Sequence, residues 1–161
     1  MNKQILKSTL IAAAGLLFAN SALAASPATA TFNVTATVLS SCNVTATDLA
    51  FGNYDPTVGD LDSTSTITTT CTAGTTYTIA LGQGQNTSRQ MKLASGSDLL
   101  DYELYQPGGY TTVWGDVGGA TVAQTSTTGA PVDYTVNGRV TGGQYVTAGA
   151  YSDEVLVTVT Y

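Results

Sequence analysis

From Thr29 to Leu39 the chain alternates without a break. Ala30, Phe32, Val34, Ala36 and Val38 fall on one side of an extended backbone, and Thr29, Thr31, Asn33, Thr35 and Thr37 on the other. A period of two in a stretch rich in β-branched residues predicts a strand and not a helix. The same rhythm returns along the chain. It predicts strands over Cys42–Thr47, Ser63–Thr72, Thr76–Leu81, Met91–Leu93, Leu99–Tyr105, Thr111–Trp114, Ala130–Val136 and Glu154–Tyr161. In the second of these, Ser65, Ile67, Thr69 and Cys71 oppose Thr64, Thr66, Thr68 and Thr70. In the third, Tyr77, Ile79 and Leu81 share a face. In the last, Val155, Val157, Val159 and Tyr161 do. Turns are marked by Pro56 with Gly59, by Ala73-Gly74, by Pro107-Gly108-Gly109, by Asn137-Gly138 and by Gly142-Gly143. Helical periodicity is almost absent. Short strands at near-regular spacing, punctuated by Gly and Pro, predict an all-β sandwich. No internal repeat and no second domain is visible.

The first residues follow a different logic. Lys3 and Lys7 precede an apolar run from Leu10 to Ala19, and Ala22-Leu23-Ala24 has the small residues of a cleavage site. These three regions read as a secretory signal peptide over 1–24. The apolar run is too short to span a bilayer. Cleavage after Ala24 leaves 137 of the 161 residues, an ordinary size for one domain. It also removes two lysines, which takes the formal charge from −6 to −8. A chain this acidic, without basic clusters, is poorly suited to nucleic acid or an anionic membrane.

Export changes the reading of the two cysteines. Outside the cytosol, Cys42 and Cys71 are expected to form one disulfide. It would close a 30-residue loop and stabilise by roughly 3–4 kcal/mol through chain entropy. The chain has no histidine, so Ser-His-Asp and Cys-His catalysis and histidine metal sites are excluded. No cofactor is expected. Asp98, Asp101 and Glu103 are close in sequence, and Asp101 and Glu103 would share a strand face. A carboxylate pair of that kind can hydrolyse glycosides, but solvated strand charge is the simpler reading. Asp60 and Asp62 lack the ligand density of a calcium loop. Tyr102, Tyr105, Tyr110 and Trp114 suit a sugar platform or, more simply, core and cross-strand packing.

Several segments in order then carry a resemblance. Cys42 follows an alternating strand, and Leu49-Ala50-Phe51-Gly52-Asn53-Tyr54 comes next. Cys71-Thr72-Ala73-Gly74-Thr75-Thr76-Tyr77-Thr78-Ile79, Arg89-Gln90-Met91, Leu100-Asp101-Tyr102-Glu103-Leu104-Tyr105 and Trp114-Gly115 follow. The run closes with Gly149-Ala150-Tyr151-Ser152-Asp153 and the strand to Tyr161. The chain resembles the spore coat protein U domain family, which includes the Csu-type subunits of archaic chaperone–usher pili.

The resemblance implies an incomplete immunoglobulin-like β-sandwich, closed by a donor strand from a neighbouring subunit. On that expectation 25–39 is the N-terminal donor strand and 40–161 the pilin domain. Phe32, Val34, Ala36 and Val38 would fill the neighbour's groove. Val155, Val157, Val159 and Tyr161 would line the groove edge where a chaperone holds the subunit. The implied partners are further copies and related pilins, a periplasmic chaperone and an outer-membrane usher. The implied destination is a cell-surface pilus, reached through the periplasm, that supports adhesion and biofilm formation. The implied role is structural and not enzymatic. The alternative is a secreted glycan-binding or coat protein whose residues 29–39 complete its own sandwich.

Overall fold

The computed structural model describes residues 26–86 and 88–161; the expected signal peptide over 1–24 lies outside them. Residues 26–36 are exposed throughout and belong to no strand. The alternation over 29–39 therefore forms no ladder in the single chain. A strand's backbone groups need a partner strand, and alternation alone does not provide one.

Residues 37–161 are a second unit, and ten strands build it. They are β1 (Cys42–Ala46), β2 (Leu61–Cys71), β3 (Thr76–Leu81), β4 (Gln90–Leu93), β5 (Leu99–Asp101), β6 (Glu103–Tyr105), β7 (Val122–Thr125), β8 (Val132–Val140), β9 (Tyr151–Ser152) and β10 (Val157–Thr160). All pairings are antiparallel, in three sheets ordered β1-β2-β8-β6, β10-β3-β7 and β5-β4-β9. Among the described residues there is no helix. The fold is all-β, as the alternation predicts.

The faces of β2 and β3 are those expected. Ser65, Ile67, Thr69 and Cys71 are buried on β2, and Tyr77, Ile79 and Leu81 on β3. Cys42 and Cys71 are directly opposed in the β1–β2 register and are bonded. Inside the sandwich, the Tyr77 and Tyr134 hydroxyls lie 2.7 Å apart, and Thr69 Oγ1 is 3.0 Å from Tyr77. This chain of hydroxyls ties β2, β3 and β8 together without exposing a polar atom to apolar surroundings.

Four expectations are corrected. Leu99–Tyr105 is not one strand. It breaks at Tyr102, and its halves join different sheets. Thr111–Trp114 is reduced to one bridge between Val113 and Tyr105. The last strand is shorter than 154–161, because its pairing with β3 spans only Val157–Thr160. Asn137-Gly138 does not turn. β8 runs straight through it to Val140, because Gly138 lies under the segment after β1. A Cβ there would come within 2.6 Å of Leu49 and 3.0 Å of Phe51. Strand β7 has no counterpart in the sequence reading.

Gly138→Val is accordingly expected to destabilise the body by about 1–3 kcal/mol through overpacking. Thermal unfolding should show this as a melting point lower by roughly 5–15 °C.

Candidate functional site

The two ends of the sandwich are set by register. Cys42, Cys71, Val132 and Thr160 lie towards one end, and Leu61, Leu81, Val140 and Val157 towards the other. Towards the second end a cleft reaches in to the core. It measures about 1300 Å³ and lies between the segment Ala46–Tyr54 and the segment Val146–Val157. It exceeds the roughly 300–1,000 Å³ of an ordinary small-ligand pocket. Its floor includes Ile67, Leu81, Leu100, Leu104, Val136 and Val140, all members of the hydrophobic core. These floor residues are themselves buried, at 0–5% exposure, so the cleft reaches down to the core without laying it bare.

One wall of the cleft is an unpaired strand edge. Among the described residues β10 pairs with β3 alone and closes the end of its sheet. The Gly82 N–H donates to the Leu156 carbonyl at 2.9 Å. In an antiparallel ladder, successive residues alternate their backbone groups between the two sides. The even-numbered residues of β10 therefore bond to β3, while Val157 and Val159 turn their N–H and C=O to the open edge. Their side chains are half-buried. Of the two, Val157 also lines the cleft, so the free edge of β10 borders the cleft there.

The lip of the cleft is held by polar contacts. Asp153 Oδ2 accepts from the Tyr102 hydroxyl at 2.7 Å, and Oδ1 from the Gln85 N–H at 2.9 Å. Burial first, and then that bond to Asp153, push the Tyr102 phenol well above its ordinary range. Arg89 is buried and donates through Nη2 to the carbonyls of Leu81 and Trp114, at 3.0 and 2.7 Å. Burial pulls its guanidinium below the usual range.

The candidate site residues fall in different places. Val155 and Val157 line the cleft. Val159 lies beyond it on β10, and Tyr161, beyond the strand, is exposed. Phe32 and Val34 are 85% and 83% exposed, and Val38 is exposed as well. Large apolar groups at regular alternation in water are an unusual feature of a folded chain. Ala36 is also exposed.

The carboxylates do not converge. Asp101 accepts from Gln90 Nε2, Glu103 from the Leu104 N–H, and Asp98 from Thr147. Asp62 forms a two-point pair with Arg139, whose other carboxylate neighbour is Asp60. That pair holds the Asp62 carboxyl below its usual range. The aromatic set divides too. Tyr102 and Trp114 are core residues, while Tyr105 and Tyr110 form an edge-to-face pair with Arg139 stacked on Tyr110. The cleft wall at 144–152 was missed by the sequence reading. It has no alternation, and its role comes from facing 46–54 across the core.

Comparison with known proteins agrees with this architecture. Residues 28–158 match the family model of the Spore Coat Protein U domain. The chain is 35% identical over 170 aligned residues to Protein U of Myxococcus xanthus, with 94% of each chain covered. Among solved structures it matches a chain of the chaperone–tip adhesion subunit pre-assembly complex from the archaic chaperone–usher Csu pili of Acinetobacter baumannii. The TM-score is 0.60 at 25% identity, and 78% of this chain is covered. The match spans 41% of that solved chain, less than half its length.

Proposed function

The chain belongs to the Spore Coat Protein U domain family, and from that premise we propose that it is a structural subunit of a surface pilus assembled by the chaperone–usher route. The open apolar cleft beside the free edge of β10 carries this reading. In it, residues 25–39 of one copy enter the cleft of the next and pair with β10. Phe32, Val34, Ala36 and Val38 are the groups that fill it. Four such side chains contribute on the order of 5–10 kcal/mol before entropy costs, and main-chain bonds to Val157 and Val159 add to that. Ala36 is the smallest of the four and leaves its depression the least filled.

A subunit with this cleft empty leaves a strand edge free beside it, which is an aggregation hazard. A periplasmic chaperone that lends a strand along Val155, Val157, Val159 and Tyr161 answers that hazard, and an outer-membrane usher is where the exchange takes place. Residues 1–24 act as the export signal, and the product stands outside the cell, where it supports adhesion and biofilm formation. The glycan-binding alternative has less support, since Tyr102 and Trp114 are core residues.

The test is thermal unfolding of a chain beginning at Ser40, with and without a peptide of residues 29–39. Ligand at 1,000 times its dissociation constant stabilises by about 4 kcal/mol, so the melting point should rise on the order of 10–20 °C. A truncated chain that is already stable and ignores the peptide sinks the reading.

A further inference from the structure

We infer that the loops at the mouth of the cleft form a second docking surface, occupied by the neck and disulfide end of the next copy. The inference rests on the donor-strand reading and deepens it.

Two loops meet at the end of the sandwich where the cleft opens. The Gly143 N–H donates to the Pro56 carbonyl at 3.0 Å, and the Gly142 N–H to Asp60 Oδ1 at 3.0 Å. A Cβ at Gly142 would lie 2.5 Å from the Gly59 backbone. Only glycine allows the loops to interlock this closely. Tyr54 reinforces the joint, donating to the Thr141 carbonyl and accepting from the Gln144 N–H. Pro56, Gln144 and Val146 of these loops also line the cleft. Yet the same rigid pair presents Val58 at 77% and Tyr145 at 79% exposure. Two large exposed apolar side chains thus stand on braced loops that also line the cleft, an unusual feature of a folded surface.

The occupant follows from the length of the neck. Only Leu39, Ser40 and Ser41 separate Val38, the last donor residue, from Cys42 of the disulfide. That stretch spans at most roughly 14 Å. Nor does it hang free. The Thr72 N–H donates to the Ser41 carbonyl at 2.8 Å, and Thr72 Oγ1 donates to the carbonyls of Leu39 and Ser41. A copy whose Val38 sits in the cleft therefore has its disulfide end pressed against whichever end of the host Val38 leaves by.

The cleft end bearing Val58 and Tyr145 is the one whose surface suits that contact. The arriving surface carries Leu39, 76% exposed. It also has no charge over residues 39–42, 71–76 or 125–132. The receiving end is acidic, with Asp55, Asp60 and Asp98 near the loops. In a chain of net charge −8 after loss of 1–24, a neutral end set on an acidic one avoids the repulsion that two acidic ends would feel. The contact is head-to-tail and repeats along the fibre. It makes the donor strand run antiparallel to β10.

Fibres of the full chain carrying Leu39→Cys with Tyr145→Cys test this. Under mild oxidation they should give a covalent ladder of oligomers on a non-reducing denaturing gel. A ladder from Leu39→Cys with Tyr161→Cys in its place means that the neck leaves by the opposite end, and overturns the inference. The Val34→Asp chain, run alongside, separates the two readings. Fibres that persist with Val34→Asp remove the donor-strand reading and the junction with it. Fibres lost with Val34→Asp, but no ladder from the Leu39 and Tyr145 pair, remove the junction alone. Should the cysteine chains misfold, Val58→Ser with Tyr145→Ser decides the matter. Its fibres should dissociate about tenfold faster than the natural ones, and an unchanged rate overturns the inference.

Discussion

Val34→Asp is expected to leave the folded body intact and to weaken the joining of copies by about 100- to 4,000-fold. Val34 is 83% exposed in the single chain, so the aspartate is solvated there and costs the fold nothing. In the cleft it meets a floor built from core residues such as Ile67, Leu81 and Leu104. An uncompensated charge in such a place costs about 3–5 kcal/mol, and each 1.4 kcal/mol is a factor of ten. Titration of the peptide of residues 29–39, with and without the change, against the chain beginning at Ser40 measures this directly. Val34→Ile should bind at least as well as the natural peptide, since it adds apolar area without charge. Equal affinity for the aspartate and valine peptides would mean that Val34 does not enter the cleft, and the assignment of the donor face would fall.

Trp114→Ala should be the most damaging single change in the body, at about 4–8 kcal/mol. Trp114 is fully buried. Its Nε1–H donates to the Ile79 carbonyl at 3.0 Å and its backbone N–H to the Leu104 carbonyl at 2.8 Å. Its own carbonyl accepts from Arg89 Nη2. One residue thus fastens β3, β6 and the Arg89 loop to each other. Truncation to alanine leaves a cavity costing about 3–5 kcal/mol and strips the Ile79 carbonyl of a partner, for about 1–3 kcal/mol more. A typical domain has only about 5–15 kcal/mol in total. Urea denaturation should find Trp114→Ala unfolded or nearly so in the free subunit. Trp114→Phe keeps most of the volume and loses mainly the Nε1 bond, so it should retain a cooperative transition at lower urea. Equal midpoints for the natural and alanine chains would mean that Trp114 does not brace the sheets.

The element type was legible wherever two-residue alternation ran long enough. β2 and β3 keep the expected alternation, burying one of its two faces, and the cysteines pair across β1 and β2 as an exported chain with two of them should. Misreadings came where local signals met a tertiary demand. Asn137-Gly138 looks like a turn because glycine tolerates turn geometry. In the fold the same glycine is wanted for a different property, its missing side chain beneath Leu49 and Phe51. Leu99–Tyr105 alternates evenly, yet Tyr102 must reach Asp153 with its hydroxyl, and the strand breaks there to serve two sheets. The carboxylates and aromatic residues were close in sequence, but closeness along a strand says nothing about which sheet each half joins.

By itself, then, the sequence determined the all-β class, the alternation of the long strands, the disulfide partners and an alternating apolar face at 29–39. Those follow from local geometry and residue chemistry, which do not depend on what lies opposite. Only the tertiary structure decided that a cleft lies between 46–54 and 146–157, that β10 ends its sheet among the described residues, and that Val58 and Tyr145 stand on interlocked loops beside that cleft. A cleft is an absence between segments far apart in the chain. No residue encodes it singly, and it exists because the strands around it pair with other neighbours.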